Sequence, residues 1–129
     1  MINLYINERR VGDVTVLDMK GRVRLGGGTI SLHKAIGCLV GEGKLQILLN
    51  LASVTHIDSS GLGELISSHI TIRAKGGEIK LMHLTDSLRE LMTITKLLTV
   101  FDVYDNEEEA LSSFAGQVLR LKEPLPFFV

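Results

Sequence analysis

Apolar and polar residues alternate from the start of the chain. Ile2, Leu4 and Ile6 interleave with Asn3, Tyr5 and Asn7, the period-two pattern of a half-buried strand. Val11-Gly12-Asp13 interrupts it, and Val14 to Met19 reads as a second strand. So short a break favours a hairpin. Gly21 ends the run, and Gly26-Gly27-Gly28 reads as a hinge ahead of a helix, with Thr29 or Ser31 as candidate caps. Leu32, Ala35, Ile36, Leu39 and Val40 follow at helical spacing, and Gly41 or Gly43 stops them.

Leu45 to Leu51 is almost wholly apolar, as a central strand covered on both sides should be. A short polar connection leads to Asp58-Ser59-Ser60-Gly61-Leu62-Gly63. There Leu62, Leu65, Ile66, His69 and Ile70 resume helical spacing, as far as Lys75-Gly76-Gly77. Glu78 to His83 is a further strand. Ser87 with Glu90 fits a capping box, ahead of Leu88, Leu91, Met92 and Thr95. Phe101 to Tyr104 is a short strand. Asn106 and three glutamates, Glu107 to Glu109, fit the cap and first turn of a last helix running to about Leu121.

Strands alternating with helices predict an α/β fold with a mixed, mostly parallel sheet of about four to five strands. The alternation in the first strand predicts a sheet with one face less covered, and helices mainly on the other. The 129 residues form one domain, 1–129, of which 45% are apolar, so a packed core is expected. A net charge of −1 gives no electrostatic reason to expect nucleic acid or an anionic membrane as partner. The single cysteine, Cys38, cannot close an internal disulfide, and it lies beside the apolar stripe of its helix, where most cysteines are core residues. No apolar run reaches the ~18 residues of a membrane span, and Met1 to Arg10 does not read as a signal peptide. These features fit a cytoplasmic protein.

The chemistry concentrates where a strand hands over to a helix, at two hydroxyls and a carboxylate. The first amides of a helix lack internal acceptors and carry the positive end of the dipole. A hydroxyl there can cap the helix, attack a substrate or accept a phosphate. Attack is disfavoured, because the hydrolase elbow needs Gly-x-Ser-x-Gly and the residues two before Ser59 and Ser60 are Ile57 and Asp58. Gly61-x-Gly63 lacks the third glycine of a dinucleotide fingerprint, and Gly26-Gly27-Gly28 lacks the Gly-Lys-Ser/Thr of a phosphate loop. His33, His56, His69, His83 and Cys38 show no metal-ligand spacing. The expectation is therefore no catalytic residue, no cofactor and no metal. Capping and phosphorylation remain, and two adjacent hydroxyls allow both. Side-chain-free Gly61 and Gly63 would let another protein approach closely.

The stretch Asn50 to Gly63 resembles the signature of STAS domains, in particular the bacterial anti-sigma factor antagonists. The similarity continues through Gly76 to Leu81 and through Leu91 to Phe101 with its Thr95-Lys96-Leu97-Leu98 turn. The resemblance implies a STAS-type sheet and a regulatory protein that is not an enzyme. It implies phosphorylation at Ser59, with Ser60 second, by an anti-sigma factor that is itself a serine kinase of the histidine-kinase ATPase fold. Unphosphorylated antagonist would bind that kinase and free the sigma factor; phosphate would break the complex, and a serine phosphatase would restore it. Asp58, Ser59, Ser60, Gly61, Leu62 and Gly63 would form the partner-binding helix start. A homodimer is also compatible. The alternatives are a STAS scaffold that is not phosphorylated, such as a stress-complex or lipid-transport component, or a small nucleotide- or ligand-binding protein using Gly61 and Gly63. Two departures stand out. Gly21-Arg22-Val23-Arg24-Leu25 is basic where many antagonists are acidic. The tail, residues 122–129, ends in apolar Pro124 to Val129; it either packs back or serves association.

Overall fold

β1 (Leu4–Val11) and β2 (Val14–Val23) form the expected hairpin, paired antiparallel from Leu4 with Gly21 to Val11 with Val14. Gly12 takes φ 61° in the turn between them, a backbone setting that glycine adopts without strain. The computed structural model describes residues 4–114. The last helix ends at Ser112, with Ser113 as its C-cap, rather than running to about Leu121; the apolar tail, residues 122–129, lies outside the described residues.

After the hairpin, α1 (Gly27–Gly41), β3 (Gln46–Ile57), α2 (Ser59–Ala74), β4 (Glu78–Met82), α3 (Asp86–Ile94), β5 (Val103–Tyr104) and α4 (Glu107–Ser112) follow in turn. The five strands lie in chain order across one sheet. Each strand from β2 to β5 pairs parallel with the next, because a helix carries the chain back between them. The fold class expected from the pattern is the one observed.

The two sheet faces differ. Leu17, Met19, Ile47, Leu49, Leu51 and Leu81 pack against α1, α2 and α3 through Leu32, Leu39, Leu65, Ile72, Leu88 and Met92. Three helices thus share one face. On the other face Val14, Val16, Leu48 and Met82 meet Ala110 and Phe114, with Val11, Tyr104 and Leu111 partly buried around them. Polar residues complete this thinner layer. The Arg9 guanidinium donates to Asp18 at 2.7 Å and to Glu107 at 2.6 and 2.9 Å, tying the sheet edge to the start of α4. Lys80, 5% exposed, donates to the Ser113 carbonyl at 2.9 Å and hydroxyl at 3.0 Å, and its ammonium lies over the Phe114 ring. A buried ammonium needs such partners.

Several local readings are corrected. Gly21 does not end β2, and the polar residues 52–57 are not a connection: they prolong β3, pairing with β2 as far as Val23 with Ile57. α1 starts ahead of Thr29 and Ser31, with Gly26 at its N-cap at φ 99°. α3 is capped by Thr85, whose hydroxyl accepts from the Leu88 amide at 3.3 Å, rather than by Ser87. Cys38 is exposed rather than in the core. The cap at Asn106 is observed as expected, its side chain accepting from the Glu109 amide at 2.9 Å.

Candidate functional site

The prolonged β2 and β3 carry the site. Their C-terminal ends lie side by side, with Arg22 opposite His56 and Val23 opposite Ile57. The next residue after β3, Asp58, is extended at φ −100° and ψ −176° and becomes the N-cap of α2. One carboxylate oxygen accepts from the Gly61 amide at 2.8 Å. The other accepts from the Leu25 amide at 3.0 Å. A single side chain thus caps α2 and fastens the β2–α1 loop to it. The Leu25 and Gly61 amides, followed by the Ser60 amide and the charge of Arg24, hold the Asp58 carboxyl below the usual carboxylate range, since each favours the ionised form.

This arrangement answers which group caps the helix. It is Asp58, and neither serine is needed. Ser59 is exposed and Ser60 half-buried, and neither hydroxyl has a hydrogen-bond partner among the described residues. Aspartate is as good an N-cap as serine, and the spacing from Asp58 to Gly61 is that of a cap to its third helical residue. The signal was present in the sequence, one residue before the hydroxyls.

The other predicted site residues separate. Gly63 is exposed, and an added Cβ would meet nothing within 4 Å. Gly61 and Leu62 are buried, so they support the helix start from within instead of offering contact surface. A Cβ on Gly61 would stand 2.2 Å from the Val23 carbonyl oxygen and 3.0 Å from Ile57 Cγ2. The glycine therefore lets α2 approach β2. The space at Gly61 is filled by the protein's own backbone, so that glycine offers no cradle to a nucleotide. Gly28 does the same for α1, where a Cβ would lie 2.3 Å from the Arg22 carbonyl oxygen. The triple glycine is thus a packing element as well as a turn.

The basic loop before α1 borders the same helix start. Arg22 and Arg24 are exposed, and Leu25 is 75% exposed, on the same rim as Ser59. Of the histidines, His33 pairs with Glu64 at 3.0 Å across α1 and α2. His69 stacks on Phe101 with ring centroids 5.0 Å apart, and burial, then the charge of Arg73, holds its pKa below the ordinary value. No helix among the described residues is long and apolar enough to cross a membrane.

Comparison with known proteins agrees with this geometry. The STAS domain family model matches residues 5–110. The chain is 33% identical over 67 residues to the anti-sigma F factor antagonist of Paenibacillus polymyxa; the match covers 52% of this chain and 57% of that protein, so it spans little more than half the relative's length. The crystal structure of an anti-sigma factor antagonist from Mycobacterium paratuberculosis superposes with a TM-score of 0.76 at 20% identity, covering 85% of this chain and 92% of the other. The Bacillus cell fate determinant SpoIIAA in its phosphorylated form gives 0.66 at 19% identity, over 84% and 97%. With the family model matching residues 5–110 and the fold superposing on these structures, the chain belongs to the STAS domain family.

Proposed function

We propose that this protein is an anti-sigma factor antagonist and that Ser59 is its phosphorylation switch. The observation that carries the reading is an exposed hydroxyl at a helix start where the neighbouring Asp58 already supplies the cap. Modifying Ser59 removes no intramolecular bond, so the fold is expected to tolerate it. A phosphate there adds roughly −1.5 to −2 charges to a surface made by Ser59, Ser60, Gly63 and the β2–α1 loop. A partner docked on that surface would have to desolvate or oppose the new charge. The relationship to antagonists of the same fold, one of them described in a phosphorylated form, supports the same reading.

In this account the unmodified protein binds an anti-sigma factor that is a serine kinase, and so releases the sigma factor. Transfer of the ATP γ-phosphoryl group to Ser59 Oγ, with loss of the hydroxyl proton, ends the complex. A serine phosphatase reverses it by hydrolysis. The protein is the substrate of both enzymes and catalyses neither step; ATP belongs to the kinase. Asp58 orients the helix start through its contacts to the Gly61 and Leu25 amides.

The test is phosphate transfer from ATP by the anti-sigma factor kinase, mapped by mass spectrometry. Modification at Ser59, lost in Ser59→Ala, is the expected result. Modification at Ser60 alone would move the switch by one residue, and a wild-type chain left unmodified contradicts the proposal.

A further inference from the structure

The rim that carries Ser59 also carries an exposed leucine next to two exposed cations. Leu25 is 75% exposed, and Arg22 and Arg24 are exposed beside it. The segment is not loosely attached. The Leu25 amide donates to Asp58 at 3.0 Å, and the Asp58 amide donates to the Val23 carbonyl at 3.4 Å. Arg22 is in register with His56 on β3, and Gly28 packs directly on the Arg22 carbonyl. Leu25 is therefore held out to solvent by a fixed backbone, on the same carboxylate that caps the Ser59 helix. A pre-ordered backbone loses little freedom on docking. An exposed apolar anchor flanked by arginines has the composition favoured in interfaces.

We infer that Arg22, Arg24 and Leu25 form part of the face that docks the anti-sigma factor, and that the partner offers there an apolar pocket rimmed by carboxylates. The inference rests on the function proposed above and adds the partner's chemistry. Complementary charge sets partner choice and encounter rate. It also gives the switch a physical direction: a phosphate on Ser59 would neutralise the cations from their own side and confront the partner's carboxylates with like charge.

Calorimetric titration of the full chain with the kinase that modifies Ser59, at low and high salt, tests this. Arg24→Glu and Leu25→Ser are each expected to weaken binding by roughly tenfold or more, and Arg24→Glu to flatten the salt dependence. Lys20→Glu, the same charge change at an exposed position earlier on β2, should stay within about twofold. Circular dichroism melting should be alike for all three, since each residue is exposed. Equal affinities for Arg24→Glu and wild type, or equal loss in Lys20→Glu, overturn the docking face while leaving the proposed function standing. No complex with the wild-type chain overturns both.

Discussion

Asp58 uses both carboxylate oxygens on backbone amides, at 2.8 and 3.0 Å, and this frees the serines that follow. The two glycines after them have opposite roles. Gly61→Ala would drive a Cβ against the Val23 carbonyl, and backbone cannot step aside as a flexible side chain can. We expect a loss of about 1–3 kcal/mol. Gly63→Ala meets open space on an exposed helical surface, so it should gain about 0.5–1 kcal/mol from the lower entropy of the unfolded chain. Urea denaturation of the two variants checks the pair; equal signs would refute the assignment. The motif itself was legible in the sequence, but the reason for Gly61 was not. Its neighbour, Val23, lies far away along the chain, and no local pattern records that approach.

At the scale of elements, hydrophobic period and cap residues located the α-helices and strands of the described residues but misplaced several of their ends. Residues 52–57 lose the apolar run of Leu45 to Leu51 and so read as a connection. They remain a strand because β2 continues alongside them through Val23, and ladder bonds do not depend on apolar side chains. Likewise Ser87 with Glu90 satisfied a capping pattern, yet the helix begins two residues sooner because Thr85 reaches the Leu88 amide. Thr85→Ala should cost about 1 kcal/mol of stability, while Ser87→Ala should be close to neutral. A thermal melt in which Ser87→Ala is the more harmful would contradict the assignment.

For the molecule as a whole, the thin face of the sheet is held partly by charge. Arg9 bridges Asp18 on β2 and Glu107 on α4, and its guanidinium holds both carboxyls below their ordinary range. The folded state therefore favours ionised carboxylates. The stability they contribute is present above their unfolded pKa of about 4 and is lost as pH falls through the lower folded values. The groups are partly exposed and screened, so Arg9→Met should cost only about 1 kcal/mol at neutral pH. It should also shallow the loss of stability below about pH 4. An unchanged acid limb in the variant would show that the bridge contributes nothing. This network was hidden in the sequence, because Arg9 and Glu107 lie 98 residues apart along the chain and meet only when α4 returns across the sheet.

The account turns on whether a phosphate at Ser59 controls docking without disturbing the fold. The most direct measurement is calorimetric titration of the anti-sigma factor kinase with unmodified chain and with chain quantitatively phosphorylated at Ser59, alongside melting of both forms. We predict binding weaker by roughly tenfold or more on phosphorylation, with melting temperatures nearly the same. Equal affinity of the two forms, or an unfolded phosphorylated chain, would contradict it.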